Sequence, residues 1–272
     1  MLTVREGDED WARSRRELAD WREGGQANVG RRSSGTTAAK FGEVWRELAV
    51  GRALGVGYTR GVQRIGGGIL RGRKLRPLPA GISGVRPTGA RVREAVFDHL
   101  VNCQPGGVVE GRRVLDICAG SGALMIEALS RGAIWGTALE QQPRVAKHLK
   151  SQLLQLGLGP CTGVVAGDAR KFLSQPVKRP NTGPYGLVLL DPPYATPDPQ
   201  TRVFEDRLSS EILRKLVAGG WLASDAVIVR EYACFRGKPP ALALPPQLSL
   251  LRTRKYGTTV VDILGLDDAA PT

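Results

Sequence analysis

From residue 112 onward, short apolar runs alternate with stretches that repeat apolar residues at helical spacing. Strand-like runs fall at 113–118, 136–140, 163–166, 187–190 and 221–231, and helical patterns at 122–130, 143–156, 169–174 and 205–216. This alternation leaves few folds open. A strand followed by a helix and then another strand of the same sheet returns parallel to its predecessor, and the crossover helices cover both faces. Two more strand-like runs, 248–256 and 258–264, close the pattern. The expectation is an α/β domain: a mostly parallel twisted sheet with helices on both faces and an antiparallel closing hairpin.

The first four runs each end on or near an acid, namely Asp116, Glu140, Asp168 and Asp191. In open parallel sheets ligands bind beyond the carboxyl ends of the strands. The first run leads into Asp116-Ile117-Cys118-Ala119-Gly120-Ser121-Gly122, a small-residue loop that lets a ligand approach the backbone. Met125 stands where a dinucleotide fingerprint needs its third glycine, and no Gly-Lys-Ser/Thr follows, so dinucleotide and phosphate-loop sites are disfavoured. Glu140 is placed to accept from ribose hydroxyls. Asp168, followed by Ala169, is placed to accept from an adenine amine, to cap the helix beginning at Ala169, or both.

Asp191-Pro192-Pro193-Tyr194 follows the apolar run Leu187-Val188-Leu189-Leu190. Prolines donate no ladder hydrogen bond, so the strand stops there. An acid, two carbonyls and a ring are thereby fixed at a strand end. They suit a flat amine-bearing group: carboxylate and carbonyl accept from the NH2, and the ring stacks on its face. Alone, the tetrapeptide also fits an ordinary strand-ending turn. Four acids on one sheet edge point instead to an adenosine ligand beside a second, amine-bearing one.

Charge is unevenly placed. The net charge is +13, and residues 48–93 hold ten Lys/Arg and no Asp/Glu. An acid-free basic block suits a polyanion, and nucleic acid is the commonest. Within it, Arg86 and Arg91 fall near the start of a helix spaced by Val92, Val96, Phe97 and Leu100, with Thr88 as its cap. Cys103, Cys118, Cys161 and Cys234 are scattered, and His99 and His148 are the only histidines, so neither a metal site nor a disulfide framework is indicated. Cys118 reads as a small packed residue rather than a nucleophile, and both histidines as surface or packing residues. No apolar run approaches the ~20 residues of a membrane span.

The organisation expected is an extension at 1–60, disordered or weakly helical, then a basic nucleic-acid-binding segment at 61–100. A catalytic core at 101–266 and a short tail at 267–272 complete it. The Gly/Ser/Thr-rich stretch 24–40 resembles a linker or a transit peptide, though Glu6, Asp8, Glu9 and Asp10 argue against the latter.

Taken together, the 116–122 loop, Glu140, Asp168 and the Asp-Pro-Pro-Tyr box resemble an S-adenosylmethionine-dependent amino-methyltransferase of Rossmann-like class I. Ile65-Gly66-Gly67 with Arg71-Gly72-Arg73-Lys74-Leu75, then Arg86-Pro87-Thr88 with Arg91-Val92-Arg93-Glu94, more specifically resemble the bacterial small-subunit ribosomal RNA guanine-N2 methyltransferases of RsmD type. Residues 115–132, Trp221-Leu222-Ala223 and Lys255-Tyr256-Gly257 are similar to that family too. The resemblance covers 62–264, with Gly89 departing from a more usual polar residue.

The resemblance implies a cofactor, S-adenosyl-L-methionine, held by Asp116, Ala119, Gly120, Ser121, Gly122, Glu140, Asp168 and Ala169. It implies methyl transfer to a guanine N2 amine at Asp191, Pro192, Pro193 and Tyr194, with phosphates gripped by Arg71, Arg73, Lys74, Arg86, Thr88, Arg91 and Arg93. The implied partner is small-subunit ribosomal RNA, or a 30S-type assembly intermediate, met by a monomer without metal or membrane. The implied compartment is the bacterial cytoplasm, or a plastid stroma if 1–60 acts as a transit peptide. Adenine-N6 methylation and a catalytically silent RNA-binding module are the competing readings.

Overall fold

A computed structural model of the protein describes residues 63–82, 89–102, 107–175, 183–193, 195 and 204–267. The expected extension at 1–60, residues 268–272 of the tail, and Arg86, Thr88 and Tyr194 lie outside the described residues.

The elements run in the order α1 (Ala90–Asn102), β1 (Arg113–Ile117), α2 (Ala123–Ser130), β2 (Trp135–Glu140) and α3 (Pro143–Gln155). After a 3₁₀ turn, Gly159–Cys161, come β3 (Thr162–Ala166), α4 (Ala169–Leu173), β4 (Tyr185–Leu190) and α5 (Arg207–Ala218). The chain closes with β5 (Leu222–Ala233), β6 (Leu248–Tyr256) and β7 (Thr259–Leu266). They form one seven-stranded sheet ordered β3-β2-β1-β4-β5-β7-β6. The first five strands pair in parallel, while β7 runs antiparallel to both β5 and β6. The expected architecture is therefore the observed one.

Strand β4 is buried at all six positions, which is why it reads as an unbroken apolar run. On one face, Leu115, Ile117, Leu139, Val188, Leu190 and Ile228 pack against Leu173 of α4 and Ile212, Leu213 and Leu216 of α5. Each fully buried side chain of this kind contributes about 1.5–3 kcal/mol. On the other face α2 lies close to the sheet: a Cβ on Gly136 would meet Met125 Sδ at 2.5 Å.

The chain leaves β1 outward through β2 to β3, then returns to the other side of β1 as β4. That reversal opens a crevice at the carboxyl ends of β1 and β4, where ligands of such sheets bind.

Ahead of the sheet, the Gly-rich stretch docks on α2. Arg64 and Lys74 bridge antiparallel, closing a small loop. Gly66 and Gly67 donate their backbone N–H groups to Glu127 Oε2 and Oε1, each at 2.8 Å. Ile69 N and Leu70 N donate to the carbonyl and hydroxyl oxygens of Ser130 at 2.8 and 2.9 Å. Gly68 has φ +74°, and a Cβ there would sit 1.7 Å from the Ser130 carbonyl oxygen, so glycine is required.

Candidate active site

Register places the strand-end acids on one rim. Ile117, the last residue of β1, pairs with Leu139 on one side and Leu190 on the other. Glu140 pairs with Ala166. Cys118, Glu140 and Asp191 therefore leave the sheet at one level across three neighbouring strands. Asp116 lies one residue before the end of β1, and Asp168 two residues past the end of β3.

Cys118 reports the convergence. Its backbone has φ 64°, and its thiol is pushed up to about 12, first by burial and then by Glu140, Asp191, Asp116 and Asp168. All four carboxylates thus lie within electrostatic range of one thiol at the end of β1. That thiol also stays protonated at neutral pH, which fits its reading as a packed residue.

The glycine loop is held by one of these acids, Glu140. Gly120 N donates to Glu140 Oε2 at 2.9 Å, and Gln142 N donates to Glu140 Oε1 at 2.8 Å. Each oxygen keeps a lone pair for a further donor. A Cβ at Gly122, where φ is +73°, would meet Leu149 Cδ1 at 2.3 Å. Ser121 is buried, and its carbonyl accepts from Gln152 Nε2 at 2.9 Å. Ala119 N donates to Leu139 O at 3.1 Å, tying the loop to β2.

Asp116 is 1% exposed. Its Oδ2 accepts from Met125 N at 3.2 Å, whereas Oδ1 is buried without a partner. Burial pushes the carboxyl up to about 8; the Met125 N–H works against this, and the charges of Asp191 and Glu140 add to it. An orphaned carboxylate oxygen beside a glycine-opened backbone, with Glu140 lone pairs to spare, fits a ligand bearing a cation and hydroxyl groups. S-adenosylmethionine has both.

Asp168 caps α4 by accepting from Arg170 N at 2.8 Å. The Arg170 guanidinium also forks onto both its oxygens, with the shortest contact 2.6 Å, and holds the carboxyl down at about 2. Ala169 opens that helix. At β4, Asp191 is half-buried and its N donates to Ile117 O at 3.3 Å, so the box leaves the sheet still tied to β1. Pro192 is buried and Pro193 exposed.

Of the basic residues, Arg71, Arg73, Lys74 and Arg91 are exposed. Arg93 is not available to a phosphate, contrary to the sequence reading. It is 0% exposed, with Nε 3.2 Å from Glu127 Oε2 and Nη2 donating to the Arg64 carbonyl. Its place on the stripe with Val96, Phe97 and Leu100 turns it inward against α2.

The family model described as conserved hypothetical protein 95 matches residues 63–265. Ribosomal RNA small subunit methyltransferase D of Escherichia coli K12 is 37% identical over 194 residues, 71% of this chain and 85% of that protein. Its namesake from Haemophilus influenzae is 34% identical over 203 residues, 73% of this chain and 91% of that one. The chain belongs to the RsmD family. Among solved structures, yhhF from Escherichia coli aligns with 35% identity and a TM-score of 0.60, covering 76% of this chain and 99% of that one.

Two buried polar clusters of this RsmD-family chain escaped the sequence reading. Glu127, 0% exposed, gathers Gly66 N, Gly67 N, Arg93 Nε and Arg131 Nε. Its only sequence signal is the i,i+4 spacing to Arg131 beside an otherwise apolar helix. Arg230, beside Leu190 in the sheet, pairs with Asp206 at 2.7 Å and Asp262 at 3.2 Å. Asp206 also caps α5, so this pair ties the start of α5 to β5. Among the described residues no group of three or more His, Cys, Asp or Glu is placed to hold a metal.

Asp116 carries a pH signature. Its folded-state value, about 8, lies above the ordinary 3.8. The folded chain therefore holds a proton that the unfolded chain has released between these values. Stability from this group is complete below about pH 4 and is lost as pH rises toward 8. Asp116→Asn removes the titration, so the variant should melt above the parent at pH 8 and lose that advantage as pH falls to about 4. Parallel thermal melts across pH check this; equal differences at both ends would refute it.

Proposed function

We propose that this chain transfers a methyl group from S-adenosyl-L-methionine to the N2 amine of a guanine in small-subunit ribosomal RNA. The observation that carries the reading is the set of strand-end acids that the register brings to one edge of the sheet at its topological switch point. The relatives' names, which specify ribosomal RNA of the small subunit and methyl transfer, support the substrate class. The basic segment 61–100 is then the RNA-binding part and 101–266 the catalytic core.

S-adenosylmethionine, when bound, supplies an electrophilic methyl group on a sulfonium. Asp116, Glu140, Asp168 with Ala169, and the loop Ala119-Gly120-Ser121-Gly122 would hold it. Asp116 Oδ1 offers an unmatched acceptor to a cation, and Glu140 offers its remaining lone pairs to hydroxyls. Asp191 and the Pro192 carbonyl accept the two hydrogens of the guanine amine, and Tyr194 stacks on the base.

A guanine amine is a weak nucleophile because its lone pair is delocalised into the ring. Accepting both hydrogens favours a pyramidal nitrogen whose lone pair points at the incoming methyl. Most of the acceleration then comes from positioning. The nitrogen gains its positive charge only as the methyl arrives, so Asp191 can take the released proton afterward. The base must leave its stack to reach the rim. Arg71, Arg73, Lys74 and Arg91 are exposed for phosphate contact.

The test is methylation of small-subunit ribosomal RNA in vitro, followed by nuclease digestion and mass spectrometry of the nucleosides. N2-methylguanosine is expected; N6-methyladenosine would move the target to adenine. RNA binding with no calorimetric heat for S-adenosylmethionine would make the chain a binding module.

A further inference from the structure

A second acid-free basic block lies at the other end of the chain. Residues 232–261 hold Arg236, Lys238, Arg252, Arg254 and Lys255 and no Asp or Glu. The fold sets Arg236 and Lys238 at the turn that follows β5, and Arg252, Arg254 and Lys255 along β6, the edge strand on that side of the sheet. Leu190, the last residue of β4, pairs with Arg230, and β5 continues to Ala233, overhanging the level where Asp191 leaves β4. Just beyond it, Phe235 and Lys238 exchange backbone hydrogen bonds of 2.9 and 3.0 Å, closing a two-residue turn. Arg236 and Gly237 occupy that turn with φ 50° and 78°, as tight hairpins require. Strand β6 rises to the same corner: Tyr256 pairs with Thr259, and Thr259 with Ala233.

What the turn presents is unusual for a surface tip. Phe235 is 46% exposed. Its ring meets Phe204 edge to face at 5.9 Å, and the Arg236 guanidinium lies 5.4 Å from its centroid. The ring is thus braced on one side while still open to solvent. Lys238 ends the same turn, Arg252, Arg254 and Lys255 are exposed along β6, and none of the five cations forms an ion pair with a described residue. Arg252 Nη1 lies 3.2 Å from His99 Nε2. The imidazole is held below its ordinary value by burial and then by Arg252 and Arg254.

We infer that this corner is a second RNA contact, in which Phe235 stacks on an unpaired base and Arg236, Lys238, Arg252, Arg254 and Lys255 neutralise the neighbouring phosphates. The inference rests on the RNA-methyltransferase reading and extends it. A braced, exposed ring interleaved with unpaired cations is how proteins hold single strands, since every base offers a π-face. Its overhang above the acid rim suits a nucleotide flanking the extruded target. The exposed Leu250 and Leu251 on β6 would equally suit a second copy of the chain, but they do not account for five unpaired cations.

The experiment is fluorescence anisotropy with a labelled single-stranded segment of small-subunit ribosomal RNA, across salt, alongside calorimetry with S-adenosylmethionine. Phe235→Ala should weaken RNA binding about 5- to 100-fold, the loss of one base–aromatic stack. Phe235→Trp should restore it, and Phe235→Leu should not. The triple variant Arg252→Gln, Arg254→Gln, Lys255→Gln should lower the log–log salt slope by about two, at about 0.7 per phosphate contact. S-adenosylmethionine binding should be unchanged in all of them. Parental affinity and slope in the variants, with a parent that methylates RNA, would overturn the second contact and leave the function standing. A parent that binds no S-adenosylmethionine and methylates no RNA would remove both. A triple variant that changes self-association in sedimentation but not RNA affinity would make the corner an interface between copies and overturn the inference.

Discussion

Asp191→Ala is expected to lower methyl transfer to ribosomal RNA about a thousandfold, while the calorimetric affinity for S-adenosylmethionine changes little. A group that orients the nucleophile and takes its proton acts only as the transition state forms, so its loss falls on turnover rather than on binding. In the proposed arrangement the cofactor side of the rim is built from other residues: Glu140 ties the glycine loop, and Asp116 is held by Met125 N. The fold should tolerate the change, because Asp191 is half-buried and its backbone bond to Ile117 O survives. The variant should even gain some stability at alkaline pH, since the charge of Asp191 is one of the influences that pushes Asp116 up to about 8. Asp191→Asn tests the charge separately: it keeps one acceptor oxygen but sets an NH2 against the donors of the base, so it should recover little turnover. If Asp191→Ala kept turnover within tenfold of the parent, the amine would be held by something else.

The sequence displays the parallel half of this fold well, and for a physical reason. Strands covered on both faces carry apolar residues at consecutive positions, so 187–190 cannot be mistaken. Their carboxyl ends are equally legible, because Asp191-Pro192 and Gly120 break the pattern where the chain leaves the sheet. The acids cannot be ranked from sequence, however. Asp116 and Asp168 look alike on paper, yet one is buried with an orphaned oxygen and the other is clamped by Arg170 in solvent reach. Burial depth depends on which strand neighbours which, and that is a long-range property. Arg93 shows a signal passed over rather than one missing: positions 93, 96, 97 and 100 form a buried stripe. Charge alone suggested a phosphate contact, whereas helical spacing already pointed that arginine inward. The overhang of β5 beyond Glu231 was hidden for a related reason. The strand-like run stops at Glu231 in the sequence, but Glu231 is buried, and the strand runs two residues further.

Loss of Glu127 should be the most damaging single change to stability. Its carboxylate is fully buried and accepts from Gly66 N, Gly67 N, Arg93 Nε and Arg131 Nε. Removing it strands the buried Arg93 cation, whose Nη1 already lacks a partner, and leaves two backbone N–H groups unmatched. Breaking a buried pair in this way costs about 3–5 kcal/mol. For a domain of this size that lowers the melting temperature by about 10–15 °C. Glu127→Gln should fare little better than Glu127→Ala, because its amide sets donors against donors. The double variant Glu127→Gln with Arg93→Met should recover part of the loss, since the stranded cation is then gone. The functional cost follows from what Glu127 holds in place. It seats the loop that carries Arg71, Arg73 and Lys74 against α2, so the surviving folded fraction should bind RNA more weakly while the acid rim, built from β1 to β4, still binds S-adenosylmethionine. A Gln variant that melts within about 3 °C of the parent would show that this loop is held by Ser130 and its own turn instead.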